Sequence, residues 1–299
     1  MKLVHQTILF FLITISSLSS AQNMNAGFSH LEKGEFSQAE VFFAAILKDY
    51  PQNKTARLCY ARAVGLNKQP EAALQMFVDL KKEYPGDLEI ELNYAEALLW
   101  NKKFAEAKVF YSNLVANNPT NFVAHLGFAN TLSNLKEFPD ALMNVNKALD
   151  LSPGNSGALV SRKYIKLGYA NDKVKEKKYG EAETFYNEIL ADFPNDKETL
   201  LNKANLYLIS KDIAKGKATY KLLSASDPIL ALNGLALIEH IDGKDAQALQ
   251  TSQKAITAVK DSSDETLKKQ TYERHVQALI WNKKFKAAAT EINELNTRY

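Results

Sequence analysis

An all-α array of helical hairpins is the fold class this sequence predicts, and three observations predict it. Prolines stand at 51, 85, 119 and 153, and again at 194 and 228, each 34 residues after the one before it within its set. Between these marks one chemical pattern recurs: a polar turn, an aromatic residue, a small residue three positions later, a second aromatic four after that, then proline. The interval from Pro153 to Pro194 is seven residues longer, close to two turns of helix, so a lengthened helix would keep its buried face in phase.

The N-terminus precedes the array and has a different character. Met1 and Lys2 give a positive start, Thr7 to Leu18 is apolar throughout except for hydroxyl side chains, and Ser19-Ser20-Ala21 supplies small residues. This is the layout of a secretory signal peptide, residues 1–21, with cleavage expected between Ala21 and Gln22. Twelve residues fall short of the roughly 20 that span a bilayer. The expected mature chain therefore has no transmembrane segment and is exported, periplasmic or secreted.

Without Lys2 the mature chain carries 36 basic and 34 acidic side chains, with both signs interspersed. Nucleic-acid recognition needs a concentrated basic face, so no nucleic-acid partner is expected. Cys59 is the sole cysteine and has no partner for an internal disulfide, which leaves packing to stabilise an exported protein. It reads as a small buried hydrophobe.

The repeated pattern has a direct physical sense. Phe36, Ala39 and Phe43 precede Pro51; Phe104, Ala107 and Tyr111 precede Pro119; Tyr179, Ala182 and Tyr186 precede Pro194. A small residue lets two helix backbones approach, flanking aromatics fill the space on either side, and proline ends the second helix. Pro70 and Pro139, outside the rhythm, fall near helix starts, where a missing N–H does little harm.

This pattern resembles the tetratricopeptide repeat over residues 22–299, which implies a right-handed superhelical solenoid of about eight helix-turn-helix repeats. The repeats are expected at about 22–53, 54–87, 88–121, 122–155, 156–196, 197–228, 229–262 and 263–299. Turns are expected near Gly34, Lys68, Lys102, Lys136, Lys178, Lys211, Gly243 and Lys283. The small residues of the second helices are Ala39, Ala73, Ala107, Ala141, Ala182, Gly216, Ala248 and Ala288; those of the first are Gly27, Ala61, Ala95, Ala129, Ala204 and Ala236. The sequence departs from the family at Val276, in lacking its first-helix tryptophan, and in repeat seven, which loses its aromatics and terminal proline.

Three local expectations follow. The long helix runs from about Ser156 to Lys177, capped by Asn155 or Ser156, and its charged end Lys173–Lys178 reads as a solvated terminus. Val41, Phe42, Phe43, Ala45, Ile46 and Leu47 make the second helix apolar nearly all round, as for a sandwiched element. The last helix carries a narrow stripe, Ala288, Ile292, Leu295 and Tyr299, opposite Lys286, Glu291, Glu294 and Arg298, which suits a cap closing the array.

No catalytic constellation is legible. His30, His125, His240 and His275 are scattered over different repeats, without a His-Glu-x-x-His motif or a carboxylate at metal-ligand spacing. Phosphate-cradling glycine loops are absent. Gly154-Asn155-Ser156-Gly157 fits a helix cap better than a nucleophile elbow, and Glu181 and Glu183 suit a helix start, where the dipole favours negative charge. The chain reads as a non-enzyme with no cofactor and no metal.

In tetratricopeptide arrays the first helix of each pair lines a concave groove. Carried over residue by residue, that resemblance places Arg62, Asn93, Glu96, Trp100, Asn130, Asn134, Tyr164, Asn202, Asn205, His240, Gln277 and Trp281 in the groove. Recurrent asparagine, a poor helix former, suits either hydrogen bonding to an extended ligand or simply a wet surface. Trp100 and Trp281 share the pentapeptide Trp-Asn-Lys-Lys-Phe and admit two readings, packing at the inter-repeat edge or a platform for a peptide or sugar ring. The stretch Tyr94–Ala107 with Pro119-Thr120-Asn121 also resembles repeats that precede outer-membrane barrels in polysaccharide-export proteins, though the barrel is missing here. The lysine, asparagine and arginine of the charged clamp in some cytosolic repeats do not line up. The expected function is an exported scaffold binding a protein or peptide partner in the cell envelope; the alternative is binding of an exopolysaccharide or cell-wall glycan.

Overall fold

A computed structural model of the protein describes residues 24–298. The described residues form sixteen helices and no strand. They fall into two compact units divided after Ile165. The first holds α1 (Asn25–Glu32), α2 (Phe36–Asp49), α3 (Lys54–Leu66), α4 (Pro70–Glu83), α5 (Leu88–Trp100), α6 (Phe104–Asn117), α7 (Phe122–Asn134), α8 (Phe138–Leu151) and the start of α9 (Ser156–Lys175). The second holds the rest of α9, α10 (Tyr179–Asp192), α11 (Lys197–Ser210), α12 (Ile213–Leu223), α13 (Pro228–Ile241), α14 (Asp245–Val259), α15 (Glu265–Trp281) and α16 (Phe285–Arg298). Odd-numbered helices open a pair and even-numbered ones close it, giving the eight expected hairpins. The expected signal peptide lies outside the described residues.

Every first helix from α3 onward begins on an asparagine or aspartate. Asn53, Asp87, Asn121, Asn155, Asp196, Asp227 and Asp264 each accept a hydrogen bond from a backbone N–H of the first turn. Each such cap contributes about 1 kcal/mol to its helix. Of the two caps considered for α9, Asn155 is the one used.

Inside each pair the turn is a reversal through left-handed backbone. Gly34 and Gly243 take φ of 74°, and Lys68, Lys102, Lys136, Lys177, Lys211 and Lys283 take φ between 57° and 68°. In the third pair Lys103 N donates to Leu98 O and Lys102 N to Leu99 O, the paired bonds of a Schellman motif with lysine where glycine is usual. A side chain in this region costs about 1–2 kcal/mol. Lys136→Gly should therefore raise the unfolding free energy, by about 0.5–1 kcal/mol once glycine's larger chain entropy is subtracted; urea denaturation checks it.

All eight small residues of the second helices are buried: six alanines are fully so, Ala288 almost, and Gly216 with them. Gly216 meets Ile238 so closely that a Cβ there would overlap it. The first-helix set is buried too, and Ala170, seven residues before Lys177, completes it for the fifth pair. Aromatics of the second helices, Phe43, Phe77, Tyr111, Tyr186 and Tyr220, are buried to within 2%. Phe43 anchors one core cluster with Ala39, Ile46, Ala56 and Cys59, and Phe77 the next with Leu58, Val64, Leu80 and Ile90.

Five local expectations need correction. The fifth turn centres on Lys177, not Lys178, and α9 stops at Lys175. Pro228 opens α13 behind its cap Asp227 rather than closing α12, because this pair is two residues shorter from turn to turn. Helix α2 is not sandwiched: Val41 is 71% exposed and Ala45 is exposed, since second helices present their outer side to solvent. Lys175 to Lys178 are exposed as expected, but Lys173 is buried: its Nζ meets Glu176 and Glu181 at 3.3 Å and lies over the Tyr169 ring. On α16 Ala288 is buried and Leu295 packs partly, but Ile292 is 39% exposed; Tyr299 lies outside the described residues.

Charged groups join neighbouring pairs at the turns. Lys217 on α12 donates to Asp242 at 2.6 Å, and Lys244 joins at 2.7 Å. These two ammonium groups hold the Asp242 carboxyl down at about 2. A depressed carboxyl stabilises the fold above its usual value near 3.8 and loses that contribution as pH falls through about 2. Asp242→Asn should remove that part of the acid-side loss, seen as a smaller drop in denaturation midpoint between pH 4 and 2 than in the parent.

Candidate functional site

The turn residue gives a common ruler for the first helices. Six residues before it stand Arg62, Glu96, Asn130, Asn171, Asn205, Leu237 and Gln277. This row receives the hydroxyls of two second-helix tyrosines. Tyr186 donates to Asn171 at 2.7 Å and Tyr220 to Asn205 at 3.0 Å, each reaching from its own hairpin. Burial pushes both hydroxyls up to about 12, so they remain donors. Asparagine in this row thus satisfies a buried phenol, a task the recurrence of asparagine alone did not disclose.

In the first unit the same region is a closed network. Arg62 Nη1 donates to Asn93 Oδ1 and to Glu96 Oε2, both at 2.8 Å, and Asn93 Nδ2 donates to Glu89 O. Asn93 and Glu96 are 6% and 7% exposed. Burial pushes the Glu96 carboxyl up, and Arg62 partly offsets this. Three of the residues expected in the groove are therefore engaged with one another. Asn130 and Asn134 lie nearer solvent, where Asn134 Nδ2 donates to Asn130 O, and Tyr164 lies beneath the Lys163 ammonium at 4.3 Å.

The two tryptophans occupy equivalent places, and the shared pentapeptide explains why. Asn101 Nδ2 donates to Pro70 O at 2.8 Å and Asn282 Nδ2 to Asp245 O at 2.7 Å. Each asparagine also binds the carbonyl four residues back on its own helix. Each therefore ties its hairpin to the start of the preceding second helix. Trp100 then packs on Gly65, where a Cβ would overlap its ring, and on Phe77 at a centroid distance of 6.4 Å. Trp281 meets His240 instead of glycine and stacks on it at 3.8 Å, 1° from parallel, while His240 Nδ1 bonds Asp245 at 2.6 Å. Trp-Asn-Lys-Lys-Phe fastens neighbouring repeats in both units.

The second unit contains an open cleft of roughly 250 Å³. Three successive first helices line it: Leu201, Asn205 and Leu208 from α11; Leu230, Asn233, Gly234 and Leu237 from α13; Gln270, Glu273, Arg274 and Gln277 from α15. Tyr220 forms its floor, its ring so close to Gly234 that a side chain there would overlap it. Among the residues expected in the groove, Asn205 and Gln277 line this cleft; Asn202, on the same helix as Asn205, is half-buried, and His240 and Trp281 stack on each other instead. Leu237, Asn233 and Arg274 were not read from the sequence. Arg274 falls nine residues before its turn residue, as do Asn93 and Asn202, and three before Gln277, which was read from the sequence.

Among the described residues no group of three or more histidine, cysteine or acidic side chains could hold a metal ion, and no helix is long and apolar enough to cross a membrane. Burial pushes the Cys59 thiol up to about 12, as for an inert core residue.

Residues 66–125 match the family described as Tetratricopeptide repeat. No curated protein matches the chain. Among solved structures it is similar to a tetratricopeptide repeat protein from Parabacteroides merdae ATCC 43184, with 18% identity, 83% of this chain and 96% of that one covered, and a TM-score of 0.50. It is also similar to RapI in its apo form (14% identity, 92% and 86% covered, TM-score 0.64) and to pilF of Pseudomonas aeruginosa (18%, 69% and 90%, 0.51). At these identities the likeness is one of fold. The fold is the all-α tetratricopeptide-repeat array.

Proposed function

We propose that the protein is an exported scaffold that binds an extended peptide segment of a partner protein, and that the α11–α13–α15 cleft is its docking place. The observation that carries this reading is the lining: four leucines beside amides, a glutamate and an arginine, contributed by three successive first helices. The tetratricopeptide fold, widely used to hold protein segments, supports the class of function. Selection of a random octapeptide library, displayed between fixed flanks, on the mature chain tests it. Enrichment that Leu237→Glu abolishes, with helix content unchanged by circular dichroism, is expected. No enrichment, or enrichment indifferent to Leu237→Glu, rejects the cleft.

Export rests on Met1-Lys2, the Thr7–Leu18 run and Ser19-Ser20-Ala21, and places the partner in the cell envelope or outside. N-terminal sequencing of the chain from its native cell should begin at Gln22; an intact Met1 would end this part of the proposal. The glycan alternative drew on Trp100, Trp281, Tyr164 and the groove asparagines, with the tryptophans as ring platforms. Trp100 is packed against Gly65 and Phe77 and one face of Trp281 is covered by His240, so the aromatic surface it relied on is largely engaged.

A further inference from the structure

The charge inside the second unit's cleft narrows the chemistry of its ligand. Arg274 Nη1 donates to Gln277 Oε1 at 2.6 Å, and among the described residues no carboxylate pairs with it. Arg57 and Arg62 differ: they hold Glu83 and Glu96 at 2.6 and 2.8 Å. A guanidinium drawn partly out of water beside Leu201, Leu208, Leu230 and Leu237 without a counter-charge is costly for the free protein. The fold does not require it, since Cys59, Asn93, Gly127, Gly168, Asn202 and Gly234 serve at the equivalent place in other first helices.

A second unpartnered group lies inside the same wall, out of contact with solvent. Thr271 Oγ1 donates to Leu267 O at 2.8 Å, so its oxygen can only accept from Asn233, at 2.9 Å. That fixes the Asn233 amide with Nδ2 toward Thr271 and leaves Oδ1 buried without a partner. The cleft thus holds a guanidinium that no carboxylate of the described residues pairs, with the exposed Glu273 carboxylate next to it in sequence on the same wall, and a peptide segment can supply the missing partner as an aspartate or glutamate side chain. Gln270 and Gln277 stand one helical turn before and after Arg274, offering amide bonds to a backbone that passes on both sides rather than ending there.

We propose that this cleft takes an extended segment in which an aspartate or glutamate side chain meets Arg274 and a neighbouring apolar side chain lodges among the four leucines. The proposal rests on the peptide-binding reading above and specifies its partner. The flanked octapeptide library supplies the test, because every displayed segment continues on both sides. Enriched sequences should carry Asp or Glu within two positions of Leu, Ile, Met or Phe. A synthetic peptide of the leading sequence should bind the mature chain about tenfold or more tighter than its Asn or Gln counterpart, the range of a charge-assisted bond. Arg274→Gln should bind the two alike, and Arg274→Lys should keep part of the preference, which separates lost charge from lost fold. Enrichment of apolar sequences without acid, an acid preference that Arg274→Gln leaves intact, or selection only from a library with free C-termini overturns the proposal while leaving a peptide-binding cleft. Failure of every library removes the cleft's binding role itself.

Discussion

Replacing Glu96 with alanine should lower the unfolding free energy by about 3–5 kcal/mol, the cost of stranding one member of a buried ion pair. Arg62 and Glu96 come from neighbouring first helices, α3 and α5, and their side chains are only 19% and 9% exposed. Without the carboxylate, Arg62 keeps one acceptor, Asn93 Oδ1, for a charge already drawn from water. Urea denaturation of Glu96→Ala measures the loss. A loss under 1 kcal/mol would mean that the guanidinium swings into solvent and that the network does not bind the second and third hairpins together.

The pair is worth less than the cost of breaking it, because both charges were desolvated to form it. Arg62→Met combined with Glu96→Leu should therefore recover most of the stability that Glu96→Ala loses. The pH dependence has the same origin. Burial raises the Glu96 carboxyl above its usual value near 4.5, more than Arg62 lowers it. Folding then takes up its proton, so its contribution favours the native state below about pH 4.5 and is lost as pH rises through the raised value. Glu96→Gln should show a flatter stability profile on that rising side.

The hairpins were legible because their determinants are local and periodic. A proline every 34 residues, alanine three after an aromatic, and lysine or glycine at each turn are set by helix geometry, and the eight buried small residues follow from them. Register was legible even where the period broke, since Lys211, Gly243 and Lys283 stand at their expected turns although 32 and 40 residues separate them. The fifth turn slipped by one residue after the seven-residue insertion, and Arg274 was missed although Gln277, three residues on, was read. Side-chain partnership was not legible. Asn93, Asn171 and Asn205 look alike in sequence, yet the first is held in an ion-pair network while the other two receive tyrosine hydroxyls. Nothing in the chain order says that Trp100 would meet a glycine and Trp281 a histidine.

That difference makes Trp100 the residue at which packing between hairpins is tested. Its ring joins the cluster of Leu58, Val64, Phe77, Leu80 and Ile90, and it reaches Gly65 on the preceding hairpin. Trp100→Ala should cost about 3–5 kcal/mol, as for a large aromatic removed from a core, because Gly65 has no side chain to fill the space. Trp100→Phe should retain more than half of that. It keeps an aromatic ring against Phe77 and so loses only part of the buried volume. Trp281→Ala should cost less than Trp100→Ala, since the space it leaves opens beside His240, which is partly exposed. Thermal and urea unfolding of the three variants give the ordering. A Trp100→Ala protein as stable as the parent would show that this tryptophan does not hold the second and third hairpins together.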